Sequence, residues 1–291
     1  MNVPLRSLPR LFVLCLCLVL IIPLITPAAS AASTDADMIH ILLIGQDSRN
    51  TEDPARADSI ILCSFSPGEK QITVTSFLRD LYVSIPGHQN NRLNAAFAFG
   101  GMELVRQTLE ENFALTIDGC FEADFSQFPR IIDTLGGVSI ELRQDEAEAI
   151  NHAVSAMLTE GTCLLTGEQA LAYSRIRNLD SDGDFSRTER QRKLVTSLLH
   201  SYRNVSLLTV LSAVADLLPM ISTDLSKKQI LRLAARLFPL LDSPRIRTLR
   251  IPADGTFAYK KIRGMEVLTG DMETLRQTLQ NALFSEAENR P

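Results

Sequence analysis

Two aspartates near the start of the chain, Asp47 and Asp58, lie where one apolar run ends and the next begins. They sit in Gly45-Gln-Asp47-Ser-Arg49 and Arg56-Ala-Asp58-Ser59. If the runs are neighbouring strands, the loop returns on itself and the carboxylates converge. Two aspartate oxygens, completed by phosphate and water oxygens, suit Mg²⁺, a hard cation that keeps few protein ligands. Solvated loop aspartates, one capping a turn, are the competing reading. Arg79 and Asp80 follow a third run in Phe77-Leu-Arg79-Asp80, and Arg92-Leu-Asn94 comes shortly after. An arginine at a strand end can clamp an anion. It can equally form a surface ion pair with Asp80, worth under about 1 kcal/mol.

A third cluster runs from Arg175-Ile-Arg177 into Asp182-Gly-Asp184-Phe-Ser-Arg187-Thr-Glu-Arg190-Gln191. Arg175 and Arg177 are two apart, so an extended stretch points both to one side. Arg187 and Gln191 are four apart, so a helix presents them on one face. An arginine in the first turn of a helix opposes the helix dipole. The misfit vanishes if an anion sits there and takes both the free N–H groups and the guanidinium. A solvated basic helix face is the alternative. Other chemistries find no foothold: H-E-x-x-H, G-x-S-x-G and G-x-x-x-x-G-K-[ST] are all absent. The four histidines are scattered, and His40, inside a strand-like run, is expected to be structural. Cys63, Cys120 and Cys163 are widely spaced without a C-x-x-C, so they are expected to be small buried hydrophobes.

The elements that must position these groups are legible in the periodicity. Residues 38–44, 59–65, 71–77, 82–85, 119–123, 138–142 and 247–251 read as strands. Residues 102–113, 125–135, 145–158, 205–217, 225–241 and 272–284 read as helices. Two capping boxes, Thr166-Gly-Glu-Gln169 and Ser186-Arg-Thr-Glu189, mark further helix starts, and the second opens a helix to about residue 202. Strands alternating with helices define the α/β class: a single-domain α-β-α sandwich around one mixed sheet, over residues 38–286.

Ahead of it, Arg6 and Arg10 precede an apolar run to residue 25, then small residues. Residues 1–33 therefore form either a cleaved signal peptide or an uncleaved signal anchor, and 34–37 a linker. Both place the body outside the cytoplasm. The 291-residue chain carries a net charge of −5, and the two leader arginines leave the body at −7. An acidic exported body excludes a general nucleic-acid binder.

The clusters together resemble the LytR–CpsA–Psr (LCP) family. The resemblance rests on Leu42-Leu-Ile-Gly-Gln-Asp-Ser-Arg49, Arg56-Ala-Asp-Ser-Ile-Ile61, Ser76-Phe-Leu-Arg-Asp80 and Arg92-Leu-Asn-Ala-Ala96 with Gly100-Gly101. Asp133-Thr-Leu-Gly-Gly-Val138 follows, then Leu165–Arg177 running into Gly183-Asp-Phe-Ser-Arg187 and Glu189-Arg-Gln191. The resemblance implies an extracytoplasmic, membrane-anchored or cell-wall phosphotransferase of Gram-positive bacteria. Such an enzyme moves teichoic acid, capsule or a similar polymer from undecaprenyl pyrophosphate to a peptidoglycan hydroxyl. By resemblance, Asp47 and Asp58 hold Mg²⁺, and Arg79, Arg175, Arg177 and Arg187 bind the pyrophosphate. Arg56, Arg92 and Gln191 match positions lining the same pocket, and apolar helices form a groove for the prenyl chain. Arg79, Asp80 and Asp184 are the candidate catalytic groups, with Asp80, Asp184 or neither as general base. Leu78 stands where the family often has proline, and Arg92 where lysine is common. A lipid-pyrophosphate hydrolase and a non-catalytic polyprenyl-phosphate sensor are the alternatives.

Overall fold

A computed structural model describes residues 38–46, 56–177, 179, 183–203 and 205–284. The leader expected over 1–33, the linker and Asp47 lie outside these residues. The first strand, β1 (Ile39–Gln46), is an almost uninterrupted apolar run, as a strand covered on both faces requires. It pairs antiparallel with β2 (Ala57–Ser66), which turns through residues 67–70 into the fully buried β3 (Gln71–Phe77). A short ribbon, β4 (Tyr82–Val83) with β5 (Asn91–Arg92), leads into α1 (Ala95–Phe113). Then come β6 (Gly119–Asp124), α2 (Phe128–Thr134), β7 (Val138–Leu142), α3 (Gln144–Val154), β8 (Gly161–Leu165) and α4 (Gly167–Arg175). The remainder is α5 (Asp184–Ser201), α6 (Leu207–Leu217), β9 (Ser222–Thr223), α7 (Lys227–Leu237), β10 (Arg245–Ile251), β11 (Ala258–Ile262), β12 (Met265–Thr269) and α8 (Met272–Phe284).

The central sheet has the order β10-β3-β2-β1-β6-β9. It is mixed: β1–β6 and β3–β10 are parallel, while β1–β2, β2–β3 and β6–β9 are antiparallel. The period of two along β1 sends Leu42 and Ile44 to one face and Ile39 and Ile41 to the other. The first pair joins a core with Val105, Leu109 and Phe113 of α1 and with Leu275 and Leu279 of α8. The second joins a core closed by Val195 and Leu199 of α5 and Leu233 and Leu237 of α7. A third core lies under the β7–β8 ribbon, where Ile140, Leu165, Tyr173 and Leu194 meet. Each fully buried leucine or isoleucine in these layers contributes roughly 1.5–3 kcal/mol.

Several expectations change here. The 138–142 strand is not in the central sheet. It pairs only with β8, which went unread along with β9, β11 and β12. Residues 100–101 are non-helical, with Gly101 at φ 63°, and open the expected helix to Phe113; what the sequence did not show is the short helical stretch from Ala95 that precedes them, so that α1 is two helices joined at a kink. The Ser186 capping box does not form, because α5 starts three residues earlier, at Asp184 with Gly183 as its N-cap in place of Ser186. Asp184 thereby supplies the negative charge that the first turn favours. The Thr166 box is present, with the Gln169 side chain accepting the Thr166 N–H at 3.0 Å. Gly167 lets α4 close on α2, since a Cβ there would lie 2.0 Å from the Pro129 carbonyl oxygen. Its N–H donates to Asp133 Oδ1 at 2.7 Å. Cys63 and Cys120 are buried as expected, and Cys163 is half-buried. His40 is buried, with Nδ1 2.8 Å from Ser64 Oγ. Among the described residues no helix is long and apolar enough to cross a membrane.

Candidate functional site

The site forms at one end of the central sheet. The β1–β2 register places Gly45 opposite Ser59 and Gln46 opposite Ala57, which leaves Asp58 as the extra residue of a bulge. A bulge re-aims its side chain, and Asp58 meets the residue that follows β3 one turn later. The Arg79 guanidinium donates to Asp58 Oδ1 at 2.6 Å. Its Nε lies 3.1 Å from Asp184 at the start of α5 and 3.6 Å from Asp80. Asp184 in turn holds Arg187 at 2.8 Å, and Asp80 holds Arg92 at 3.1 Å. Residues remote along the chain thus form one chain of ion pairs.

Arg187 and Gln191 share a face of α5, and both are buried. With Arg175, Arg177, Asp58 and Phe125 they line a cavity of about 230 Å³. Arg175 is the last residue of α4 rather than part of an extended stretch, and its guanidinium lies 5.3 Å over the Phe125 ring. Burial, then repulsion from Arg79, pulls the Arg187 pKa down to about 10, against the attraction of Asp184. Among the described residues, Arg187 Nε is buried and has no hydrogen-bond partner. For Arg79, burial lowers the pKa, but Asp184, Asp58 and Asp80 outweigh it and the net shift is upward. The cavity is therefore lined by three arginines against one aspartate, Asp58, and one of those arginines, Arg187, is buried.

Unfolded, Arg187 keeps its proton at pH values where the folded residue, near 10, begins to lose it. Stability rises with pH across that window, and at neutral pH the cost of the buried charge is fully present. A bound anion removes that cost. Inorganic pyrophosphate at about 100 times its Kd is therefore expected to stabilise the fold by about 2.7 kcal/mol. Thermal melts should show a rise of several degrees, much reduced in Arg187→Gln; equal shifts in both proteins would refute the assignment.

Next to this cavity, and sharing Phe125, Ser174 and Gln191 with it, lies an apolar cavity of about 390 Å³. Its walls come from the sheet (Leu43, Ile61, Phe121), from α5 (Leu194, Leu198) and from α6 (Val214, Leu217). Gly45 lies in the wall, where a Cβ would come within 3.0 Å of Phe125. Glu122, at this cavity, has its pKa raised by burial and by Asp124, and accepts from Gln46 Nε2 at 2.9 Å.

Of the expected site residues, the fold brings together Asp58, Arg79, Asp80, Arg92, Arg175, Arg177, Asp184, Arg187 and Gln191. Arg56 is exposed, one residue before β2, and does not line the anion cavity. Among the described residues, no group of three or more His, Cys, Asp or Glu is arranged to hold a metal. Sequence reasoning missed Phe125 and Ser174 in the shared wall. It also missed the pair that sets the angle of α5: Arg190 Nε donates to Glu146 Oε1 at 2.8 Å, both side chains only 3% exposed. The sole sequence signal was Arg190 between two expected site residues.

The fold and site define an α/β protein with an arginine-lined anion pocket opening beside an apolar chamber. The sequence pattern of the LytR_cpsA_psr family matches residues 26–283, and the chain belongs to that family. It is 32% identical over 214 residues to the polyisoprenyl-teichoic acid–peptidoglycan teichoic acid transferase TagT of Bacillus subtilis (strain 168), covering 71% of this chain and 65% of that protein. It is 32% identical over 203 residues to the TagU transferase of Oceanobacillus iheyensis, covering 67% of this chain and 62% of that protein. The chain thus spans less than two thirds of the length of these relatives. The solved structure of TagT bound to LIIa-WTA superposes with a TM-score of 0.69 at 27% identity, covering 89% of this chain and 94% of that one. TagT with bound octaprenyl pyrophosphate lipid gives 0.64 at 26% identity, with the same coverage.

Proposed function

We propose that the chain is an extracytoplasmic phosphotransferase that moves a glycopolymer from a polyprenyl pyrophosphate carrier to a peptidoglycan hydroxyl. One observation carries this: an arginine-lined pocket and an apolar chamber share a wall at Phe125, Ser174 and Gln191. A pyrophosphate attached to an isoprenoid tail has that same division of charge and grease. The names of the TagT and TagU relatives, and the lipid held by TagT, support the reading.

In the reaction, the acceptor hydroxyl oxygen bonds to the phosphorus that bears the glycan. The bridging P–O bond breaks and the prenyl phosphate leaves. Arg79, Arg175, Arg177 and Arg187 balance the charge on the non-bridging oxygens, and rigid placement supplies most of the rate. Asp184 is engaged by both Arg79 and Arg187 at 3.1 and 2.8 Å, whereas Asp80 is held less closely, at 3.1 and 3.6 Å. Asp80 is therefore the carboxylate assigned to receive the hydroxyl proton. Asp58 has one oxygen on Arg79 and a second that accepts no bond from the described residues. That donor set fits a magnesium ion, held by Asp58 and, by resemblance, Asp47; when bound, it would neutralise pyrophosphate charge. The expected leader of residues 1–33 would hold the body at the outer membrane face or release it to the wall.

The test is incubation of the purified chain with a lipid-pyrophosphate glycan, Mg²⁺ and peptidoglycan. A covalent adduct with released prenyl phosphate is expected. Prenyl phosphate without adduct would assign hydrolysis instead. The chamber makes its own prediction. Val214→Trp fills it and is expected to weaken octaprenyl pyrophosphate binding by tenfold or more, roughly the loss of one buried side chain's worth of apolar contact. Inorganic pyrophosphate should bind as before. Equal loss for both ligands would separate the chamber from lipid binding.

A further inference from the structure

Asp80 and Asp184 line a recess of about 110 Å³, separate from the arginine pocket. Its floor and rim include both aspartates, Phe185, Tyr259 and Glu266. The β11–β12 hairpin builds the far wall and is fastened directly to the site, since Leu268 N–H donates to the Asp80 carbonyl at 2.9 Å. From the recess an aromatic series runs outward. The Phe185 and Phe257 rings stack 5.4 Å apart, and Phe257 meets Tyr259 edge-on at 5.7 Å. Arg250 covers the Phe185 ring at 4.4 Å and holds the inner end of the series. Tyr259, at the outer end, is 70% exposed. An aromatic ring left largely in water at the rim of a site is a contact surface waiting for a partner.

We propose that this recess is the acceptor subsite, and that its occupant is a pyranose of the acceptor glycan. The inference rests on the phosphotransferase reading above and adds the place from which the nucleophile arrives. Aromatic faces take the C–H face of a sugar ring, and carboxylates accept its hydroxyl hydrogens. The lining holds three carboxylates and no cation, so it offers nothing to the phosphates of the donor polymer. Ion pairs link the recess to the arginine pocket: Asp184 of the recess pairs with Arg187 of the pocket, and Arg79 joins Asp80 and Asp184 to the pocket's Asp58. A hydroxyl entering past Tyr259 meets Asp80, which lines the recess, before it reaches the arginine pocket, whose lining does not include Asp80. That order places the proton acceptor beside the nucleophile and leaves the prenyl phosphate to depart toward its own cavity. The recess admits one edge of a ring, which matches a single reacting hydroxyl rather than a long polymer groove.

The test uses the full chain with a soluble, peptide-free oligosaccharide of alternating N-acetylglucosamine and N-acetylmuramic acid. Saturation-transfer NMR should detect the sugar on the wild type. Tyr259→Ala should weaken that binding, and raise the acceptor KM in the transfer assay, by roughly five- to tenfold. Tyr259→Phe should restore both, and octaprenyl pyrophosphate affinity should be unchanged throughout. Because Tyr259 is mostly exposed, the substitution leaves the core intact. The inference is overturned if the wild type fails to bind the sugar, if Tyr259→Ala binds it equally, or if the loss appears on donor binding instead. Sugar binding that depends on Tyr259, in an enzyme that forms no adduct, would sink the phosphotransferase reading and leave the carbohydrate site standing.

Discussion

Arg79→Ala is expected to lower kcat/KM for glycopolymer transfer by about 10²–10³-fold, the usual cost of removing one preorganised charge from a transition-state clamp. The geometry explains why this arginine outranks its neighbours. It alone touches Asp58 at 2.6 Å and Asp184 at 3.1 Å, and it stands next to Asp80. Removing it lets the carboxylates repel one another and turns a net cationic pocket toward neutrality, so the pyrophosphate loses both a partner and a scaffold. Arg79→Lys keeps the charge but loses the planar fork that reaches Asp58 and Asp184 from separate nitrogens, and should recover only part of the rate. Donor affinity should fall less than kcat, because developing charge is what the clamp meets best. Steady-state adduct formation, with melting curves to verify folding, decides the matter. An Arg79→Ala enzyme within threefold of the wild type would remove Arg79 from the mechanism.

Breaking the Glu146–Arg190 pair is expected to have the largest effect on stability. Both side chains are 3% exposed and 2.8 Å apart. Truncating either removes the closest charged partner of the other and leaves a buried charge poorly compensated, at a cost of about 3–5 kcal/mol. Glu146→Ala and Arg190→Ala should each lower the unfolding free energy from urea titration by that amount. Replacing both together, as Glu146→Leu with Arg190→Met, should recover most of it, since the pair itself need not outperform apolar packing. Activity should follow stability in the single variants, because α5 carries Asp184, Arg187 and Gln191 on the same rigid body. Two single variants each within about 1 kcal/mol of the wild type would show that water reaches the pair and that it is not buried in solution.

Some of this protein is written in its local sequence, because local physics decides it. The run 39–44 is too uniformly apolar to be anything but a covered strand. The spacing of Arg187 and Gln191 puts them on one helical face whatever surrounds them. Thr166 and Gln169 cap their helix through contacts three residues apart. By contrast, the short strands β9, β11 and β12 have little apolar alternation of their own and exist because a partner strand lies beside them. The start of α5 lies three residues before its expected place because Gly183 and Asp184 answer to the ion pairs around Arg79 as well as to helix propensity.

The chemistry divides in the same way. Residue type and order alone established that arginines and aspartates recur at strand ends and beside a helix start. They left each cluster open between a functional site and an ordinary solvated surface. Only the fold joins Asp58, Arg79, Asp184 and Arg187 across the chain and buries Arg187, where an unneutralised charge is costly and a bound anion would relieve it. The apolar chamber was invisible beforehand for a different reason. Each residue around it has the composition of core, and whether apolar faces close on one another or leave a space depends on volumes summed over β1, β2, α2, α5 and α6. No single segment carries that sum.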